Sequence, residues 1–215
     1  MMWNLPPADS VLHLLSWVAL AAQAMTAALA AGRRSMDWMG VCLLGAITAL
    51  GGGTLRDILL GHYPLLWVER PSYLVLTLLA PFVTIAMARV VHRLTTAFLV
   101  LDAIGLVVFT MTGCDVARQI NASFGIVIVA GVITGCAGGV LRDVLCNDVP
   151  LLFRAELYAS VSLVTGLIYA SGAVFGVGSE LWTALTFALG LSFRLLAIRY
   201  KWNMPRFVFT GVEKD

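Results

Sequence analysis

The sequence predicts an all-α integral membrane protein of seven transmembrane helices, arranged as an inverted repeat of three helices plus a seventh. Three observations predict it. The chain of 215 residues is 60% hydrophobic and only 12% charged, where a soluble domain carries roughly a quarter charged residues. Uninterrupted apolar runs of roughly 20 residues recur along it, the length that crosses a hydrocarbon core. Gly-Gly-x-Leu-Arg-Asp occurs twice, at 52–57 and 138–143, inside segments that otherwise look lipid-soluble.

The spans are read at about 10–31, 38–60, 72–90, 97–117, 122–146, 155–175 and 180–199. Their breaks carry physical punctuation: Gly32-Arg33-Arg34, His62-Tyr63-Pro64, Arg89 to Arg93, Arg118 to Asn121, Asn147 to Pro150, and Gly176 to Ser179. Pro64 and Pro150 lack an N–H donor and bias the preceding residue away from helix, so both are expected to mark the end of a span. The first basic residue is Arg33. Residues 1–31 therefore lack the basic start of a signal peptide and read as a retained first span.

Composition also narrows function. The net charge of +2 is spread over termini and loops with no basic stripe among aromatics, so no nucleic-acid partner is expected. Cys42, Cys114, Cys136 and Cys146 lack C-x-x-C spacing and read as small buried hydrophobes. His13, His62 and His92 are scattered. No metal site, cofactor, nucleophile–base pair or phosphate-cradling loop stands out, so there are no catalytic residues to name and an enzyme is not expected.

Orientation follows from the basic residues. With the N-terminus outside, Arg33, Arg34, Arg89, Arg93, Arg154, Arg194, Arg199, Lys201, Arg206 and Lys214 fall on or near the cytoplasmic side. Only Arg70 and Arg118 fall outside, the repeated Arg56 and Arg142 being set apart. This positive-inside bias puts the N-terminus out and the C-terminus in the cytoplasm.

A shift of 86 residues lays 52–67 on 138–153 with nine of 16 positions identical, including Gly52/Gly138, Gly53/Gly139, Arg56/Arg142, Asp57/Asp143 and Pro64/Pro150. The same shift pairs Met25-Thr26 with Met111-Thr112, Gly45 with Gly131, and Ile47-Thr48 with Ile133-Thr134. Each unit holds three spans. An odd number turns the second copy upside down, related to the first by a pseudo-two-fold axis in the membrane plane. The units are 10–91 and 97–176, followed by a seventh helix at 179–200 and a cytoplasmic tail at 201–215.

Gly51, Gly52, Gly53, Gly138 and Gly139 lie about two-thirds along spans 2 and 5. Adjacent glycines cost a helix roughly 1 kcal/mol each. They read either as close packing between helices or as a break or kink whose exposed backbone groups line an aqueous path; the recurrence and the charges that follow favour the break or kink. Arg56-Asp57 and Arg142-Asp143 come next. Helix neighbours point about 100° apart, so each arginine is expected to pair across to another helix, in a pore-facing or gate-holding role, rather than with its own aspartate. The alternative is an arginine snorkelling to headgroups, with a solvated aspartate. Asp102, inside span 4 and aligned with Ser16, is a candidate as a lone intramembrane carboxylate, or as the neutralising partner of Arg56 or Arg142. Thr48 and Thr134 place hydroxyls one turn before the glycines, either toward a permeating ion or bonded back to a helix carbonyl.

The strings GGGTLRDILLGHYP, GGVLRD and AMTAALAAGRRSMDWMG resemble the bacterial branch of the trimeric intracellular cation channel family, whose members are also catalogued as glycine transporters. The resemblance runs from about residue 12 to Arg206. It implies seven helices in a bacterial inner membrane, a homotrimer among membrane lipids, and one ion path per subunit between kinked helices 2 and 5. It also implies selectivity for monovalent cations, mainly K⁺ and otherwise Na⁺. On the matched motif, Gly51, Gly52 and Gly53 form the kink of helix 2 and Gly138 and Gly139 that of helix 5. Thr48 and Thr134 then lie near the constriction, and Arg56 and Arg142 at the charged end. Animal members carry a Lys-Glu-Val motif tied to lipid and gating; no such string occurs here. From the residues alone, a carrier of glycine or a similar small solute fits the same inverted breaks, whose half-helix ends would suit both ends of a zwitterion.

Overall fold

The computed structural model describes residues 10–88, 94–154, 157–175 and 179–202. Among them lie nine helices and no strand: α1 (Ser10–Arg33), α2 (Trp38–Leu60), α3 (Leu66–Glu69), α4 (Pro71–Ala88), α5 (Leu94–Gln119), α6 (Phe124–Leu145), α7 (Leu151–Arg154), α8 (Tyr158–Phe175) and α9 (Ser179–Tyr200). Each stretch read as a span holds one long helix. The four-residue α3 and α7 are additions that the sequence reading lacks. By length and composition α1, α2, α5, α6 and α9 are able to cross a membrane, and α4 is a shorter apolar helix. The Arg89–Arg93 break, Gly176 and the tail beyond Trp202, with Arg206 and Lys214, lie outside the described residues.

Five described helix ends turn through a left-handed residue: Lys201 (φ 53°) after α9, and four in pairs 86 residues apart, Ser35 (φ 52°) with Asn121 (φ 57°) and Gly61 (φ 64°) with Asn147 (φ 54°). Their hydrogen bonds repeat too. His62 N–H donates to Asp57 O and Asp148 N–H to Asp143 O, both at 2.8 Å. Such caps satisfy carbonyls that the helix end would leave orphaned. The chain therefore leaves α2 and α6 at Gly61 and Asn147, three residues before the prolines expected to stop them.

Packing follows the same pairing. α1, α2, α6 and α5 form a ring in which each packs on the next; α4 lies against α1 and α2, and α8 against α5 and α6. α9 has no counterpart and covers α8 and α5. Polar contacts at the ends fix directions. Ser10 at the start of α1 bonds Glu180 at the start of α9. At the other end of α1, Arg34 pairs with Asp148 beyond α6, and Arg33 lies over the Phe98 ring near the start of α5. α1 is thus parallel to α6 and α9 and antiparallel to α5.

At the centre of the ring α2 and α6 cross with backbones in contact. A Cβ on Gly52 would strike the Thr134 carbonyl oxygen, and one on Gly138 would strike that of Thr48. The two contacts interchange under the 86-residue shift and run antiparallel. Of the break or kink favoured from sequence, a break is absent: α2 and α6 run uninterrupted through their glycines. The reason is that these glycines spend their missing side chains on helix approach, the use that small residues serve in membranes.

Gly53 differs from its neighbour, since a Cβ there meets only Arg56 Nη2, at 3.7 Å. Gly138→Ala is expected to lower stability by about 1–3 kcal/mol, the cost of forcing atoms into a packed contact. Gly53→Ala is expected to be neutral or to gain up to about 1 kcal/mol of helix propensity. Thermal unfolding in detergent reads both, and equal effects would contradict the crossing.

Candidate functional site

The repeated motif builds the same local device twice, one on each side of the crossing. Its first glycine makes the α2–α6 contact. Its second lies under its own arginine, with the Cβ positions of Gly53 and Gly139 at 3.7 and 3.6 Å from Arg56 Nη2 and Arg142 Nη2. Gly51, by contrast, packs against the Leu141 side chain. Each arginine sits four residues beyond the glycine at the contact, or about 6 Å along a helix. Because the helices run oppositely, the two arginines lie on opposite sides of the contact and do not meet.

Both arginines bond the aspartate that follows them, contrary to the expectation drawn from the 100° offset. Arg56 Nε and Nη2 donate to Asp57 Oδ1 at 2.9 and 2.7 Å; Arg142 Nε donates to Asp143 Oδ1 at 2.8 Å. The Cβ directions diverge, but the long arginine stem curls back across the gap. Burial enforces this: Arg56 and Arg142 are 2% and 0% exposed, so their donors must find protein acceptors. Neither snorkels to headgroups, and Asp57 and Asp143 are buried rather than solvated.

The second carboxylate oxygen has its own task. Asp57 Oδ2 accepts from Leu66 N–H at 3.4 Å and Asp143 Oδ2 from Leu151 N–H at 2.8 Å. Those amides open α3 and α7, so each aspartate ties its arginine to the short helix after the proline. This explains why Arg-Asp and Pro-Leu-Leu travel together in the sequence.

The two sites differ in what else they recruit. Arg142 does pair across helices: its Nη1 donates to Asp102 Oδ1 at 2.7 Å and to Thr26 Oγ1 at 3.0 Å. Its guanidinium carbon stands 4.6 Å from the Phe98 ring centre, a cation–π position. Asp102 is thus the partner of Arg142 and not of Arg56. On the other side Asp57 Oδ1 also meets His62 Nδ1, at 3.2 Å. Ser16, aligned with Asp102, bonds back to the Leu12 carbonyl instead.

Thr48 and Thr134 are buried at the crossing. Their main-chain carbonyls face the opposite glycines. Thr134 Oγ1 bonds back to Ala130 O at 2.7 Å, while Thr48 Oγ1 has no hydrogen-bond partner among the described residues. Sequence reading missed Arg194 as an interior group, having counted it with the basic residues on or near the cytoplasmic side. It is fully buried, with its guanidinium 4.8 Å from the Tyr158 ring centre. Its place inside an apolar helix, more than a turn before the end at Tyr200, was the available signal. Among the described residues no cluster of His, Cys, Asp and Glu is grouped to hold a metal ion.

A duplicated helical unit with buried Arg–Asp groups flanking a glycine crossing, carried on long apolar helices, defines a polytopic helical membrane protein. The family described as "Glycine transporter" matches the chain twice, at residues 13–89 and 99–173. The chain is 38% identical over 199 residues to the UPF0126 inner membrane protein YadS of Escherichia coli (strain K12), covering 92% of this chain and 96% of that protein. It is 32% identical to the UPF0126 membrane protein YvgT of Bacillus subtilis (strain 168), over 90% and 95% of the two chains. Among solved structures, it is similar to the TRIC trimeric intracellular cation channel orthologue from Rhodobacter sphaeroides. That match has a TM-score of 0.85 at 36% identity, over 89% of this chain and 99% of the other. A prokaryotic TRIC channel solved in 0.5 M KCl gives 0.83 at 28% identity, over 91% and 99%. The chain belongs to this family of membrane proteins, which unites the UPF0126 proteins with the bacterial TRIC channels. These solved relatives are channels and not enzymes.

Asp102→Ala leaves a buried guanidinium short of a partner and is expected to cost about 3–5 kcal/mol. Adding Arg142→Met should recover about half of that loss or more. A double-mutant cycle on unfolding measures the coupling; additive effects would contradict the pair.

Proposed function

We propose that this protein is a homotrimeric, K⁺-selective monovalent-cation channel of a bacterial inner membrane, with one ion path in each protomer at the α2–α6 crossing. The observation that carries the proposal is likeness to solved cation channels at 28–36% identity over about nine-tenths of the chain. In this reading the seven long helices all span, the two three-helix units are inverted, and the N-terminus faces out. The reciprocal contacts of Gly52 with Thr134 and Gly138 with Thr48 support that inversion. So does the family's double match, whose starts lie 86 residues apart.

The path is shut where the two backbones touch. Opening parts them, and the carbonyls of Thr48 and Thr134 then face a passing ion. Carbonyl oxygens are the groups that replace a cation's hydration shell. Arg56–Asp57 and Arg142–Asp143–Asp102 stand on either side of this gate. Each pairs its cation with carboxylate, so the approach to the crossing is not a bare positive barrier. Gly51, Gly52, Gly53, Gly138 and Gly139 let the helices bend and slide there.

A second reading, a carrier of glycine, rests on the description of the family that matches the chain. Planar-bilayer recording from purified protein in asymmetric KCl separates the two. Unitary current steps reversing near the K⁺ equilibrium potential are expected, with Arg142→Ala changing conductance or open probability at least twofold. Electrical silence, with saturable uptake of radiolabelled glycine into liposomes, would overturn the channel.

A further inference from the structure

A buried polar seam runs between α8 and α9, away from the α2–α6 crossing. On α8, Tyr158, Ser162 and Thr165 follow at intervals of four and three and share a face; all are buried. On α9, Thr183, Thr186, Gly190 and Arg194 follow at three, four and four, and all are buried. The faces meet antiparallel. Arg194 covers the Tyr158 ring, the Cβ position of Gly190 lies 2.7 Å from Thr165 Oγ1, and Trp182 Nε1 donates to Ile168 O at 3.0 Å.

Several hydroxyls elsewhere in the bundle bond back to their own helix, Thr54 to Leu50 O, Thr110 to Leu106 O and Thr134 to Ala130 O; Thr110 also meets Ser162 Oγ of the seam at 2.6 Å, and Thr48 at the crossing is an exception. In the seam Thr165 Oγ1, Thr186 Oγ1 and Tyr158 Oη have no hydrogen-bond partner among the described residues. Two more such atoms, Asp102 Oδ2 and Arg142 Nη2, lie at its Tyr158 end. Gly139 lies among them without a side chain to fill the place where they converge, its Cβ position being 3.0 Å from Tyr158 Oη, 3.6 Å from Arg142 Nη2 and 3.8 Å from Asp102 Oδ1. Buried polar groups of native proteins are bonded to protein or to ordered water, and a polar gap with several convergent partners is where such water resides.

We infer that the α8–α9 seam binds a file of water molecules running from Thr186 past Thr165 and Tyr158 to the Arg142–Asp102 pair, with Arg194 at its end. Water fits the donor and acceptor set. It accepts from Tyr158 Oη and Arg142 Nη2, donates to Asp102 Oδ2, and alternates roles along the threonine hydroxyls. A cation does not fit, because Asp102 is already paired with the Arg142 guanidinium and the Arg194 guanidinium stands over Tyr158 at the same end of the file. The seam is therefore a hydration route to the buried charges, separate from an ion path at the crossing, and it gives α9 a task that the repeat leaves unassigned.

X-ray radiolytic footprinting of the full chain in proteoliposomes tests this, because hydroxyl radicals form from bound water in place. In H₂¹⁸O, Tyr158 and Cys136, whose helix neighbour Gly135 has its Cβ position 3.3 Å from Ser162 Oγ, are expected to gain ¹⁸O. The fully buried Met111, intrinsically more reactive than Tyr, stays unlabelled. Thr165→Val with Thr186→Val should cut Tyr158 labelling at least fivefold, and Thr165→Ser with Thr186→Ser should retain it. Tyr158 and Cys136 as silent as Met111 in the unaltered protein would overturn the file, as would unchanged labelling in the valine variant. If the valine variant does not fold, the unaltered protein decides alone. None of these readouts depends on whether the protein conducts K⁺.

Discussion

Two main-chain contacts hold the centre of this bundle: Gly52 against the Thr134 carbonyl, and Gly138 against that of Thr48. A side chain at either glycine would push α2 and α6 apart, and with them the ring they complete with α1 and α5. Lipid offers no hydrophobic drive for helices to associate, so close backbone approach and polar pairing must supply it. Pro81 of α4 against Gly45 of α2 is another close contact on the same principle. The glycines reduce helix propensity locally, and the close packing they permit offsets the loss.

That contact also fixes where charge is allowed. Each motif carries its arginine one turn beyond the contact, into the protein interior, where an unpaired guanidinium would be prohibitive. The next residue provides the nearest acceptor, and that carboxylate's second oxygen closes the hairpin onto α3 or α7. Only the second unit adds a carboxylate from another helix. The result is unequal halves: Arg142 is tied to α1 through Thr26 and to α5 through Asp102, while among the described residues Arg56 bonds Asp57 of its own helix.

Much of this was legible in the residues. Apolar length locates the long helices, and the 86-residue shift identifies Gly52, Gly138, Arg56 and Arg142 as equivalent positions. Asp102 stood out as a carboxylate with nowhere polar to go, and Arg142 as one of its two possible partners. Other features were not legible for physical reasons. Whether adjacent glycines break a helix or bring it close to another depends on what lies opposite, and Thr134 is 82 residues from Gly52. The curl of each arginine onto its neighbour depends on side-chain reach, which Cβ geometry does not report. α3 and α7 are too short to carry a period, and Arg194 reads as a boundary charge until α8 is seen to cover it.

The most direct test of the central contact is a solid-state NMR distance in lipid bilayers, between ¹³Cα of Gly52 and the ¹³C carbonyl of Thr134. Specific labelling and dipolar recoupling isolate that pair. Strong coupling, matched by the Gly138–Thr48 pair, is the result that touching backbones predict. No measurable coupling at either site, in protein whose helix content is intact, would show the two helices standing apart and contradict the crossing.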